Sequence, residues 1–189
     1  MRKLILIVHT SIDGFAGGVK GEFDGFNASP ENLDFVNELT DEADAALVGR
    51  ISYQMLETYW PTARDKENAS KSEIKYSNWY NDAEKIVLSK SLSKRNSSKT
   101  TIISENIADT LLAIKNRKGK NILMFGSPTV FEILNKHNLI DEYWVIQYPA
   151  LFGNGISFFT RAQTPKKFKL VSTRQFSNGE IAINYKVEN

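Results

Sequence analysis

Three short stretches of this 189-residue sequence have residue types and spacing that suit a phosphate. In "NILMFGSPTVFEIL" (121–134), four apolar residues, Ile122 to Phe125, run into Gly126, Ser127 and Pro128. Val130, Phe131 and Leu134 then recur with helical spacing. A strand that stops at a glycine and turns at once into a helix aims backbone N–H groups and a positive dipole end at one spot. A plain connection, with Ser127 as N-cap and Pro128 at the first helical position, gives the same pattern. The second stretch, "ALVGRISYQMLE", repeats the design: an apolar run, Gly49, then Arg50, Ile51 and Ser52 opening a helical segment. The third, "KIVLSK", sets Ser89 and Lys90 just past its last apolar residue. In open α/β sheets ligands lie beyond the carboxyl ends of strands, so one ligand with several phosphates accounts for all three. None of the three is a GxGxxG fingerprint or a Walker loop, so the two commonest nucleotide folds are not indicated.

Groups for proton chemistry are fewer. Asp13, in "SIDG", can orient a substrate or relay a proton, or it can cap the turn before Gly14. His9 ends a buried strand, as a satisfied core or rim histidine or as part of a pocket wall. His137 lies in the polar turn "NKHNL" and reads as solvated. Two lone histidines far apart give no metal site. The absence of cysteine excludes disulfides, thiolate catalysis and cysteine-ligated zinc, and suits a cytosolic, cytoplasmic protein.

The elements that must position these residues are legible as an alternation. "KLILIV" (3–8) is a continuous apolar, β-branched strand, and "SIDGFAGG" breaks it. "ASPENLDFVNELTDEA" predicts a helix with Ser29 as N-cap, Pro30 first, and Leu33, Val36 and Leu39 as its apolar stripe. "AALVG", "EKIVLS", "TTIIS", "NILMF" and "DEYWVIQYPALFG" read as further strands. "ISYQMLETYW" and "ADTLLAIKNRK" read as helices. Two alternating runs joined by Asn178-Gly179 predict a closing hairpin. The expectation is one α/β domain over 1–189: a mixed, mostly parallel sheet, helices on both faces and a C-terminal antiparallel hairpin. Residues 61–82 are polar with aromatics at the end, compatible with a mobile loop, a lid or a short extra helix. Trp60, Trp79 and Tyr80 suit a lid over an aromatic substrate, or simple packing or a subunit contact. "KSLSKR" (90–95), apart from Lys90, reads as a solvated basic turn.

The totals limit the partners. Hydrophobic residues make up 41% and charged residues 24%, an ordinary globular composition. The net charge of +2, without a like-charge block, gives no support for nucleic acid or a membrane surface. The N-terminal apolar run is strand-length and lacks a small-residue cleavage site, so it reads as the first buried strand rather than a signal peptide. No run is long enough to span a bilayer.

The ordered set "SIDGF", "ALVGRISYQMLE", "KIVLSKSL", "ILMFGSPTVFEIL" and "LIDEYWVIQYPALFGNG" resembles the dihydrofolate reductase-like superfamily. It is most similar to the riboflavin-biosynthesis reductase domain and its small stand-alone bacterial relatives. The resemblance implies an NADPH-dependent reductase of a small heterocycle or carbonyl, often a homodimer. Its leading substrate is a phosphoribosylamino-pyrimidine; pterin or folate reduction and a non-catalytic nucleotide-binding paralogue are the alternatives. It implies that Gly49, Arg50 and Ser52 hold cofactor phosphates, that Ser89 and Lys90 meet the 2′-phosphate, and that Gly126, Ser127 and Thr129 receive the pyrophosphate. The family usually has two adjacent glycines at 126–127, and Pro128 removes one N–H donor. Ser11, Asp13 and Gly14 match the segment beside nicotinamide and substrate, and Gly153, Asn154 and Gly155 a structural loop. Asn32 falls at or next to the position where folate reductases carry a carboxylate, so it and Asp13 are the candidate catalytic residues. An asparagine there argues against folate turnover, because it cannot ionise.

Overall fold

The computed structural model describes residues 1–22, 29–92, 99–159 and 165–188. Its frame is one eight-stranded sheet in the order β4-β3-β2-β5-β1-β6-β8-β7. The strands are β1 Leu4–Thr10, β2 Ala43–Gly49, β3 Glu84–Leu88, β4 Thr100–Ile103, β5 Asn121–Phe125, β6 Glu142–Gln147, β7 Phe168–Gln175 and β8 Ile181–Val187. The first six run parallel, and β8 pairs antiparallel with both β6 and β7. β1 and β5 are central, which is why "LILIV" and "NILMF" are apolar on both faces.

The helices are α1 Pro30–Asp41, α2 Arg50–Ala63, α3 Lys71–Asp82, α4 Ile107–Asn116 and α5 Pro128–Lys136. Alternate side chains of the sheet feed two cores. Leu4, Leu6, Val8, Leu47, Ile122 and Met124 pack on Leu111 and Ile114 of α4 and on Val130, Phe131 and Leu134 of α5. Ile5, Ile7 and Leu123 pack on Phe35 and Val36 of α1 and on Tyr76 and Tyr80 of α3. Val48 and Val87 meet Tyr53 of α2.

Residues 61–82 form the last turn of α2, a short turn, and the twelve-residue helix α3. The Ser70 hydroxyl accepts from the Glu73 N–H at 3.1 Å, and the Glu73 carboxylate accepts from the Ser70 N–H at 2.8 Å. This capping box overrides the polar look of the stretch. Its aromatics are packing residues. Tyr80 is buried and donates to Glu57 at 2.8 Å, Trp79 donates to the Ala43 carbonyl at 2.9 Å, and Trp60 stacks on Tyr76 with centroids 4.3 Å apart. In α1, Phe35 and Val36 are buried, whereas Leu33 and Leu39 are half-buried. Of the basic turn 90–95, positions 93–95 lie outside the described residues. Among the described residues, no helix is long and apolar enough to cross a membrane.

Candidate functional site

All six parallel strands end at one edge of the sheet. The registers Gly49↔Leu88 and Leu47↔Met124 bring Gly49, Ser89 and Gly126 to one level along it. The three stretches singled out in the sequence are therefore neighbours. Gly49 is the N-cap of α2 and Ser127 the N-cap of α5. The two caps touch: a Cβ at Gly49 would lie 2.7 Å from Ser127 Oγ and 3.1 Å from Val130 Cγ2. Only glycine lets these helix ends approach so closely. Each end leaves first-turn N–H groups without intrahelical partners, the raw material of an anion site.

The β5–α5 turn carries two consecutive positive φ angles, +55° at Gly126 and +60° at Ser127. A glycine takes this conformation freely, and a serine at a cost of about 1–2 kcal/mol. That is the physical reason a pair of glycines suits this turn. Ser127 fits by accepting a long 3.4 Å hydrogen bond from Val130 N–H. Ser89 Oγ accepts from the N–H groups of Leu92 and Ser91, at 2.9 and 3.2 Å, which leaves its own proton to donate. Arg50 donates to Gln54 at 3.1 Å. Among the described residues, neither Arg50 nor Lys90 has a carboxylate partner. Ser52 is half-buried in the first turn of α2, and Thr129 is exposed in that of α5. A cleft of about 600 Å³ continues from Lys90 between Ser104, Asn106 and Ile107 on one side and Ile133 and His137 on the other. His137, a solvated turn residue in the sequence reading, is part of this wall.

The loop after β1 is held from several sides. Ser11 is buried, and its hydroxyl donates to Asp13 Oδ1 at 2.6 Å and accepts from Phe15 N–H at 3.0 Å. Asp13 also accepts from the N–H groups of Gly153 at 2.7 Å and Phe152 at 3.2 Å. The Ser11 hydroxyl, then these two N–H groups, hold the Asp13 carboxyl below the usual carboxylate range. Gly14 closes the turn by donating to the Ser11 carbonyl at 3.0 Å. Asp13 therefore fastens the 11–14 turn to the 150–155 loop, next to the edge where β1 ends.

Asn32 has an ionisable companion that the sequence did not reveal. Its Nδ2 donates to Glu180 Oε2 at 2.6 Å and lies 3.4 Å from the Tyr148 hydroxyl. Glu180 has no solvent exposure, and it also accepts from the Ser29 N–H at 2.9 Å and from the Asn178 amide. Tyr148 hydrogen-bonds Glu180 as well, and His9 Nδ1 lies 3.1 Å from the Tyr148 hydroxyl. Burial, followed by the Glu180 charge, raises the Tyr148 pKa. Burial lowers His9 to about 4, against the opposing pull of Glu180, so the imidazole is neutral at pH 7. An acid one residue past Asn178-Gly179 reads as part of an exposed turn. The only signal was parity: Glu180 shares a face of β8 with Ala182 and Asn184, both buried.

Known proteins extend this picture. The sequence profile of the RibD C-terminal domain family matches residues 2–182. The uncharacterised protein YyaP of Bacillus subtilis strain 168 is 27% identical over 186 residues, covering 97% of this chain and 94% of its own. A putative riboflavin biosynthesis protein from Shewanella sp. PV-4 superposes with a TM-score of 0.74 at 21% identity, over the full length of both chains. Dihydrofolate reductase from Enterococcus faecalis, solved with NADP(H), superposes with a TM-score of 0.65 at 15% identity, over 99% of this chain and 97% of the other. The chain belongs to the RibD C-terminal domain family, riboflavin-pathway-type reductases built on the dihydrofolate reductase-like fold.

Proposed function

We propose that this protein is an NADPH-dependent reductase of a small heterocycle or carbonyl, with the ribosyl group of a phosphoribosylamino-pyrimidine of the riboflavin-pathway type as the leading substrate. The observation that carries the reading is the convergence of Gly49-Arg50, Ser89-Lys90 and Gly126-Ser127 at one level of the sheet edge, with neither cation held by a carboxylate among the described residues. The donor set fits a dinucleotide phosphate. Two helix ends with Ser52 and Thr129 would take the pyrophosphate, while Lys90, Ser89 and Arg50 would take the 2′-phosphate. The cleft beyond Lys90 has room and apolar wall, from Ile107 and Ile133, for the adenine.

Bound NADPH supplies the hydride. The chain's own task is to orient the two reactants and keep water away. Asp13, by fastening the 11–14 turn to the 150–155 loop, would fix the wall where β1 ends, in the segment that the family resemblance sets beside the substrate with Ser11 and Gly14. Asn32 closes the α1 side. Folate reduction is the weaker reading, since Asn32 does not ionise and the Glu180 oxygens are fully buried and engaged by donors. Dihydrofolate turnover should therefore lack general-acid assistance worth about 10²–10⁴-fold.

Thermal unfolding with each cofactor tests the proposal. NADPH at about 100 times its dissociation constant should stabilise the fold by about 2.7 kcal/mol. At about 2–4 °C per kcal/mol that is a shift of roughly 5–10 °C, with a smaller one for NADH. No shift with NADPH, and no heat of binding, would end the cofactor reading. Binding without oxidation of NADPH by any member of a pyrimidine and pterin panel would leave a nucleotide-binding paralogue.

A further inference from the structure

The four-residue chain His9–Tyr148–Glu180–Asn32 has a direction. Ser29 N–H, the Asn32 amide and the Asn178 amide all donate to the Glu180 carboxylate, which has no solvent exposure. A carboxylate surrounded by donors acts as an acceptor, so the one proton of the Tyr148 hydroxyl points to it. The Tyr148 oxygen is then left to accept, and its neighbours are His9 Nδ1 at 3.1 Å and the Asn32 amide at 3.4 Å. His9 must therefore carry its proton on Nδ1. Nε2 is left as a bare acceptor, and among the described residues it has no partner.

His9 is the half-buried last-but-one residue of β1, on the same face as Ile5 and Ile7, beneath α1. The half-buried residues Leu33 of α1, Leu56 of α2 and Phe125 of β5 border the same face. Half-buried apolar residues on the same face as one fixed acceptor suit a flat ring with one donor to place. We propose that His9 Nε2 is a substrate-recognition acceptor for a planar heterocycle presenting an N–H donor, and that Tyr148, Glu180 and Asn32 are positioning residues that lock its tautomer. This rests on reading the β1–α1 side as the substrate end of the reductase site.

The sequence holds only two histidines, so ¹⁵N-histidine labelling gives a readable spectrum, and His9→Phe assigns the signal. At pH 7 and without any ligand, His9 should show protonated Nδ1 and unprotonated Nε2. Tyr148→Phe should release that preference. Glu180→Gln should do the same, and if it does not fold, Tyr148→Phe carries the test. The binding probes are 5,6-diaminouracil and its 1,3-dimethyl derivative, which lacks the ring N–H donors. The wild type should bind the first about tenfold more tightly, the effect of leaving one acceptor unmet, and His9→Phe should abolish the difference. An Nε2-protonated His9, a difference that survives in His9→Phe, or no binding of 5,6-diaminouracil would each overturn the proposal. The NADPH melting shift is read separately on the same proteins. Its loss would remove the cofactor reading while the tautomer and the uracil ratio still decide this one.

Discussion

The two ends of the parallel sheet treat charge in opposite ways. At the end where the strands begin, two buried cations, Arg2 and Lys115, are paired with carboxylates. Arg2 is buried, bonds the Asp44 carboxylate and donates through Nε to the Lys120 carbonyl at 2.7 Å. Lys115, 2% exposed, donates to Asp141 Oδ2 at 2.6 Å and to the Leu139 carbonyl at 2.8 Å. At the end where the strands finish, Arg50 and Lys90 sit at exposed positions with no carboxylate among the described residues. The first arrangement holds the molecule together, because a buried charge without its partner is costly. The second contributes little to folding and leaves its charge available for a ligand. Like residue types serve different ends because of where the chain direction puts them.

The largest effect expected from breaking this contrast is at the paired end. Lys115→Ala leaves Asp141 and a buried carbonyl short of a donor and should cost about 3–5 kcal/mol of stability, read by urea unfolding. Lys90→Ala should stay within about 0.5 kcal/mol by the same measurement. Equal losses at the two sites would erase the distinction.

At the unpaired end the expected change is in ligand affinity. Loss of one charge-assisted hydrogen bond to a phosphate is worth about 1.5–3 kcal/mol. Lys90→Ala should therefore weaken NADPH about tenfold or more and leave NADH nearly unchanged. Arg50→Ala should weaken both if its guanidinium also reaches the pyrophosphate. Calorimetric titration of the two cofactors against each variant checks this, and a uniform loss in Lys90→Ala would move the 2′-phosphate away from that residue.

A smaller effect sharpens the role of the β5–α5 turn. Ser127→Gly relieves a positive φ worth about 1–2 kcal/mol but adds about 0.4–1 kcal/mol of unfolded-chain entropy and loses a long hydrogen bond. The net should be a gain under about 1 kcal/mol, seen as a rise of a few degrees at most in melting temperature. A clear fall would mean that the serine hydroxyl supports the turn more than its backbone strains it.

The smallest effect is acid-side. Asp13 has its folded-state pKa lowered, first by Ser11 and then by the Gly153 and Phe152 N–H groups. Its contribution to stability is complete above the ordinary carboxylate range and is lost as pH falls through the depressed folded value. Asp13→Asn should flatten that part of the stability–pH curve, and an unchanged slope would show that the tie between the two loops carries no linkage.

The strand–glycine–helix junctions were legible because they are local: apolar run, Gly49 or Gly126, then helical spacing. Their neighbourhood followed from a parallel sheet, which puts all strand ends on one edge. The helix α3 was only half legible, since Ser70 and Glu73 announce a cap while Lys71, Ser72 and Lys75 look like loop residues. Glu180 was not legible. Its environment is made by Ser29, Asn32 and Tyr148, and only the fold brings them together. On β8, the larger apolar residues Ile181, Ile183 and Tyr185 are the more exposed set, so hydrophobic alternation pointed the wrong way.

The bond from Ser29 to Glu180 spans 151 positions. During synthesis the β1–α1 region leaves the ribosome long before the residue that completes it, so this part of the candidate site waits for the β7–β8 hairpin. Until residue 180 has emerged, Asn32 and Tyr148 lack their shared carboxylate and His9 has no reason to prefer one tautomer. The candidate pocket is thus a late product of folding, dependent on contacts of high sequence separation that close slowly. A chain interrupted within the final hairpin would keep its strand–glycine–helix turns and lose the polar network around Glu180.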